Sequence, residues 1–119
     1  MYSIMFVLYR KPGMDQDDFV RHWRERHAPL VAQLPGILRY RIAPVVREEA
    51  AEAPFAGIAE IWFESRDAWL RALESPEGQR ALQDVLEFQE RSDGASMAPE
   101  IVFEAAFGEG GVAPTVPQA

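Results

Sequence analysis

The opening run, Met1–Tyr9 (MYSIMFVLY), constrains the fold more than any other stretch. Both of its alternating sets are apolar: Tyr2, Ile4, Phe6 and Leu8 on one side, Met5, Val7 and Tyr9 on the other. It is short and ends at the turn signal Lys11-Pro12-Gly13, so it reads as a strand. A strand of this kind needs cover on both faces, so the rest of the chain has to supply two layers.

One layer comes from helices. Asp15 is placed to cap a helix whose acidic first turn, Gln16-Asp17-Asp18, suits the positive end of the helix dipole. At helical spacing Phe19, Trp23, Leu30, Val31 and Leu34 share a stripe, with Asp17, Arg21 and Glu25 on the solvated side. Pro29 interrupts this pattern. It has no N–H for the carbonyl of Glu25 and its ring crowds that carbonyl, which predicts a kink or restart near Ala28. A second helical region starts at Ser65, restarts at Ser75-Pro76 and runs to about Arg91, burying Ala81, Leu82, Val85 and Phe88.

Three further strands are expected. Ile37–Val46 alternates Leu38, Tyr40 and Ile42 with Arg39 and Arg41, and Pro44 places its far end on a sheet edge. Gly57–Glu64 sets Ala59, Ile61 and Phe63 against Ile58, Glu60, Trp62 and Glu64. Ser92–Pro99 reads as a loop and Glu100–Phe107 as the last strand. The order is β-α-β-β-α-β, a ferredoxin-like α+β protomer with an antiparallel four-stranded sheet over residues 1–108. Residues 109–119, rich in Gly and Pro, read as a flexible C-terminal tail. Two helical regions cover one face of such a sheet. The first and last strands, as read here, are apolar on both, and a second copy of the sheet is the simplest cover. A homodimer is therefore expected, with Arg39, Arg41, Glu60, Glu64 and Glu104 as candidate ion-pair partners on the shared face.

Composition removes several function classes. The chain has 119 residues, no cysteine and a net charge of −7. Disulfide scaffolds, thiol nucleophiles and Cys-based zinc sites are excluded, and no basic stripe points to nucleic acid. No apolar run approaches the roughly 18 residues of a membrane span, and the N-terminus lacks signal-peptide features, so a cytoplasmic chain with no membrane partner is expected. No phosphate loop, Ser-His-Asp arrangement or flavin fingerprint is present.

Among polar residues on the apolar stripe, His27 stands out, between Trp23 and Val31 on the wheel. A neutral, partly desolvated imidazole moves protons near pH 7, about the working range of a general base. The same position also suits a core histidine held by a backbone hydrogen bond. His22 lies roughly 140° away on a regular helix, so the two do not converge on a metal, and His22 reads as a surface or helix-edge residue. Tyr40 offers either a phenolic proton to a carbonyl or a core tyrosine, in equal measure. Trp23, Trp62 and Phe6 are candidates to line a pocket for a flat substrate, although large aromatics at such spacing commonly build cores.

The segments Phe19-Val20-Arg21-His22-Trp23, His27-Ala28-Pro29-Leu30, Leu34-Pro35-Gly36-Ile37 with Arg39-Tyr40, and Ala59–Ser65 together resemble the EthD-like family over about residues 1–107. Asp84 and Phe88 resemble a helix-end pair of that family. The resemblance implies a dimeric α+β barrel, two protomers joined sheet to sheet. It also implies kinship with small cofactor-free isomerases, dehydratases and cyclases of aromatic and lactone metabolism, and with accessory proteins of ether-degradation clusters. In the isomerase branch the His-x-Pro histidine and the tyrosine of the next strand belong to the pocket, and these positions are His27 and Tyr40. A second pocket histidine of that branch is absent, since Ala53-Pro54-Phe55-Ala56 stands in its place. The expected function is cofactor-independent proton transfer on a small cyclic or aromatic carbonyl compound, with no metal. A non-catalytic ligand-binding or accessory role is the alternative. Haem chemistry with His27 as axial ligand is a third, which the resemblance to the cofactor-free branch disfavours.

Overall fold

The computed structural model describes residues 1–106. Residues 109–119, read above as a tail, lie outside the described residues. Four strands form one antiparallel sheet: β1 (Tyr2–Arg10), β2 (Arg39–Pro44), β3 (Gly57–Phe63) and β4 (Gln89–Met97), in the spatial order β2-β3-β1-β4. The doubly apolar β1 lies inside the sheet, paired with β3 through Ile4↔Ile61 and with β4 through Phe6↔Gly94. Pro44 ends β2 on an outer edge, where its missing N–H costs no ladder bond.

The helices are α1 (Gln16–His22), α2 (Ala28–Val31), α3 (Arg66–Glu74) and α4 (Pro76–Phe88). Each predicted cap is formed. Asp15 accepts from the Asp18 N–H at 2.8 Å, Ser65 from Ala68 and Ser75 from Gly78. The core lies between these helices and one sheet face. Ile4, Val31, Leu34, Ile61 and Phe63 form one cluster, and Leu8, Phe19, Trp23, Ala59 and Phe88 another. Phe19, Phe63 and Phe88 are fully buried, a contribution of about 1.5–3 kcal/mol each.

The other sheet face carries Ser3, Met5, Val7 and Tyr9 of β1 with Ile58, Glu60 and Trp62 of β3 and Arg39 and Arg41 of β2. Here Glu60 accepts the Trp62 indole N–H at 2.9 Å and lies 3.6 Å from its cross-strand partner Arg41, while the Arg39 guanidinium sits over the Trp62 ring. The ion pairing expected of Arg41 and Glu60 thus forms within one chain.

The last strand differs from expectation. α4 ends at Phe88, and the chain passes directly into β4 at Gln89, so Gln89–Met97 (QERSDGASM) is the strand while residues 100–106 have no sheet partner. Gln89–Met97 has no apolar alternation because it is an edge strand, mostly in water, held by backbone pairing to β1. Residues 100–106 of the alternating segment find that edge already occupied, and Phe107 lies outside the described residues. Leu82, expected in the core, is about half exposed (49%), at the rim of the cavity described next.

Candidate functional site

The site begins with the consequence of Pro29. Between α1 and α2 the helix widens into a π-turn over Trp23–His27, closed by the Ala28 N–H bonding to the Trp23 carbonyl. Proline removes the donor that would continue the α-pattern and crowds the turn before it, and an i→i+5 turn relieves that crowding. This widening changes the helical wheel. Five residues on a regular helix separate two side chains widely, but the i→i+5 turn brings His27 back towards His22.

Both rings then converge on Asp84 of α4. His27 Nδ1 lies 2.9 Å from the Asp84 carboxylate, and His22 Nε2 lies 2.9 and 3.0 Å from its two oxygens. A carboxylate only accepts, so the imidazoles donate. One turn on, Phe88 packs under both rings, with centroids 4.8 Å from His22 and 4.9 Å from His27. Asp84 and Phe88 are four apart on one helix face, so a single face of α4 grips both histidines. Burial lowers the His27 pKa from the ordinary histidine value; the hydrogen bond and charge of Asp84 oppose this, and His22 adds slightly to it. With Nδ1–H committed to Asp84, Nε2 is the ring nitrogen left without a partner among the described residues.

His27 lines a cavity of about 110 Å³ between helices and sheet. Its walls include Phe6, Trp23, Val31, Ile61, Trp69 and Val85. Tyr40 shares it. The Tyr40 oxygen accepts the Trp23 indole N–H at 3.2 Å, which leaves the phenolic proton free to donate. Burial raises the Tyr40 pKa to about 12, partly offset by the Trp23 hydrogen bond, so the phenol stays protonated at neutral pH. Trp23 reaches this position because β3 starts with Gly57. A Cβ there would stand 2.5 Å from the indole ring.

Of the residues nominated from sequence, His27, Tyr40, Trp23 and Phe6 line this one cavity. Trp62 does not. It alternates with Ile61 on β3, so when Ile61 faces the helices Trp62 must face away, between Ser3 and Arg39. His22, read as a surface or helix-edge residue, is a partner of Asp84, a contact only the π-turn allows. Gln89 was missed altogether, because the periodicity carried the helix past it. Among the described residues no group of three His, Cys, Asp or Glu side chains is arranged to hold a metal ion. No helix there is long and apolar enough to cross a membrane.

Comparison with known proteins agrees with this architecture. The EthD domain model matches residues 11–92. An 11.0 kDa Rhodococcus erythropolis protein from the thcB–thcC intergenic region is 33% identical over 88 residues, covering 74% of this chain and 84% of the relative. A crystal structure of an EthD family protein from Bacillus halodurans superposes with a TM-score of 0.70 at 22% identity, over 84% of this chain and all of that one. A dimeric ferredoxin-like protein of unknown function from Thermobifida fusca gives 0.66 at 12% identity, covering 82% of this chain and 90% of its own. The family match spans the π-turn, both histidines, Asp84 and the strands β2 and β3. The chain belongs to the EthD family.

Proposed function

We propose that the cavity is the active site of a cofactor-independent isomerase, dehydratase or cyclase acting on a small cyclic or aromatic, carbonyl-bearing metabolite. The observation that carries this reading is the pairing of complementary groups in one apolar space. His27 presents a bare Nε2 backed by Asp84, and Tyr40 presents a proton backed by the Trp23 indole. Desolvation keeps the imidazole neutral, the form that accepts a proton from carbon or oxygen beside a carbonyl. Tyr40 donates to that carbonyl and stabilises charge as it builds on the oxygen. The imidazolium formed is held by Asp84 and returns its proton to another atom of the same substrate or to a leaving hydroxyl. Every group this proton transfer needs belongs to the chain itself.

The test is turnover against panels of lactones and polyketide-like phenols. His27→Ala is expected to lose about 10²- to 10⁴-fold in rate while folding is retained. Normal turnover by His27→Ala would overturn the assignment. One observation favours the alternative, a non-catalytic binding or accessory protein of a catabolic gene cluster: the Rhodococcus relative is encoded between two other genes, thcB and thcC. Tight ligand binding with no turnover across the panels would decide for it. The same reading expects a second copy of the chain against the helix-free sheet face; the similar Thermobifida fusca protein is itself dimeric.

A further inference from the structure

We infer that Gln89 contacts the bound ligand directly and that the cavity selects a neutral, oxygen-bearing ring over an anionic one. Gln89 is the first residue of β4, only 4% exposed, and lines the cavity. Its backbone N–H caps α4 by bonding to the Val85 carbonyl, which fixes the position of the side chain. The side-chain amide, however, forms no hydrogen bond among the described residues. Buried amides ordinarily find partners, and one that faces a cavity without them is suited to a partner brought by the ligand. Gln89 can both donate and accept, and so supplements the His27 acceptor and the Tyr40 donor.

The charge pattern narrows the ligand. Among the described residues, the cavity is lined by no Arg, Lys, Asp or Glu side chain. Asp84, hydrogen-bonded to His27, is a carboxylate and offers an anion no partner. A ligand carboxylate would lose its hydration here and meet no cation, an arrangement that costs far more than burying a carbonyl with partners. The cavity is small, about 110 Å³, and opens at the half-exposed Leu82 rim, which favours a small ligand that reaches out to that rim. The inference deepens the reading above, because it rests on this cavity being the ligand site. It does not rest on turnover.

Three probes of nearly one shape separate the possibilities by amide chemical-shift titration: acetophenone, benzoate and ethylbenzene. Acetophenone is expected to bind, and benzoate to bind at least about tenfold more weakly. Gln89→Leu is expected to weaken acetophenone by about tenfold and to leave ethylbenzene unchanged or tighter, with no fall in the melting temperature of the free protein. Gln89→Met, which keeps the length without the amide, should behave alike and guards against a leucine variant that fails to fold. Benzoate binding as tightly as acetophenone, or no acetophenone binding at its solubility limit, would overturn the ligand class. A Gln89 variant that melts lower yet keeps its acetophenone affinity would make the amide structural and overturn its role. Binding without turnover would leave this inference standing while removing the catalytic one.

Discussion

His27 is useful because two neighbours pull its proton affinity in opposite directions. Asp84 raises it and His22 lowers it, against the larger effect of burial. Two substitutions should therefore move it oppositely. Asp84→Asn removes the negative charge and is expected to make His27 titrate at lower pH and to cut turnover by at least about tenfold, the direction seen when a base loses its orienting carboxylate. His22→Phe keeps an aromatic ring on Phe88 but removes the imidazole, and His27 should then titrate higher. Ring nitrogen NMR reads both without a substrate, and equal shifts in both variants would contradict the arrangement. The same burial has a stability consequence. The folded His27 resists a proton that the unfolded chain takes up near its ordinary pKa of 6.5, so the unfolded state binds more protons just below that pH. Stability should decline as pH falls from 6.5 to the lower folded value, then stop responding to this group. Thermal melts of wild type and His27→Phe from about pH 8 to about pH 5 should diverge there, with the wild type losing more.

At the scale of elements, the first helix shows a local rule creating a functional shape. Pro29 is legible in the sequence as a break, but the sequence does not say whether a helix will bend, stop or widen. Here it widens, because the stripe on either side must stay in the core: Phe19 and Trp23 before the break, Val31 and Leu34 after it, all buried. Pro29→Ala restores the N–H for the Glu25 carbonyl and should let Trp23–His27 tighten towards an α-turn. His27 would then rotate away from Asp84. The expected signature is loss of the protected His27 Nδ1–H signal and of turnover, with melting temperature unchanged or raised; a retained ring signal would assign the π-turn to another cause. β4 shows the opposite failure of local rules. Its polar sequence carries no strand pattern, and the better-patterned 100–106 segment is left without a partner. Strand pairing is won by position, since the chain leaving α4 is already beside β1.

For the whole molecule, the open question of surface is answered by the sheet face without helices. Met5, Val7, Tyr9, Ile58 and Trp62 lie there, and Ile101 and Val102 are 80% and 93% exposed. A chain of this size does not usually leave so much apolar surface in water. The sequence argument for a dimer relied on two doubly apolar strands. Only β1 survives as one, and β4 offers Arg91, Asp93, Ala95 and Met97 to the same face. A homodimer joined through this face remains the expectation. Sedimentation at micromolar concentration should give about twice the 13.4 kDa chain mass, and Val7→Glu with Ile58→Glu should produce monomers of lower stability. A folded, stable monomer of the wild type would refute it.

Alternation and capping were enough to give the ferredoxin-like plan, the need of β1 for cover on both faces, the edge position of Pro44 and the helix-facing sides of His27, Trp23 and Tyr40. These depend on periods of two and 3.6 residues, which a sequence displays directly. Three things were decided only by the folded chain. Trp62 turned away from the site because its neighbour Ile61 turned in. His22 joined His27 because a widened turn cancelled their separation on the wheel. Asp84 and Gln89 entered the site because α4 and β4, far along the chain, pack against the first helix and β1. Such contacts follow from where elements dock, and docking is set by the sum of many side-chain contacts rather than by any pattern within a single segment.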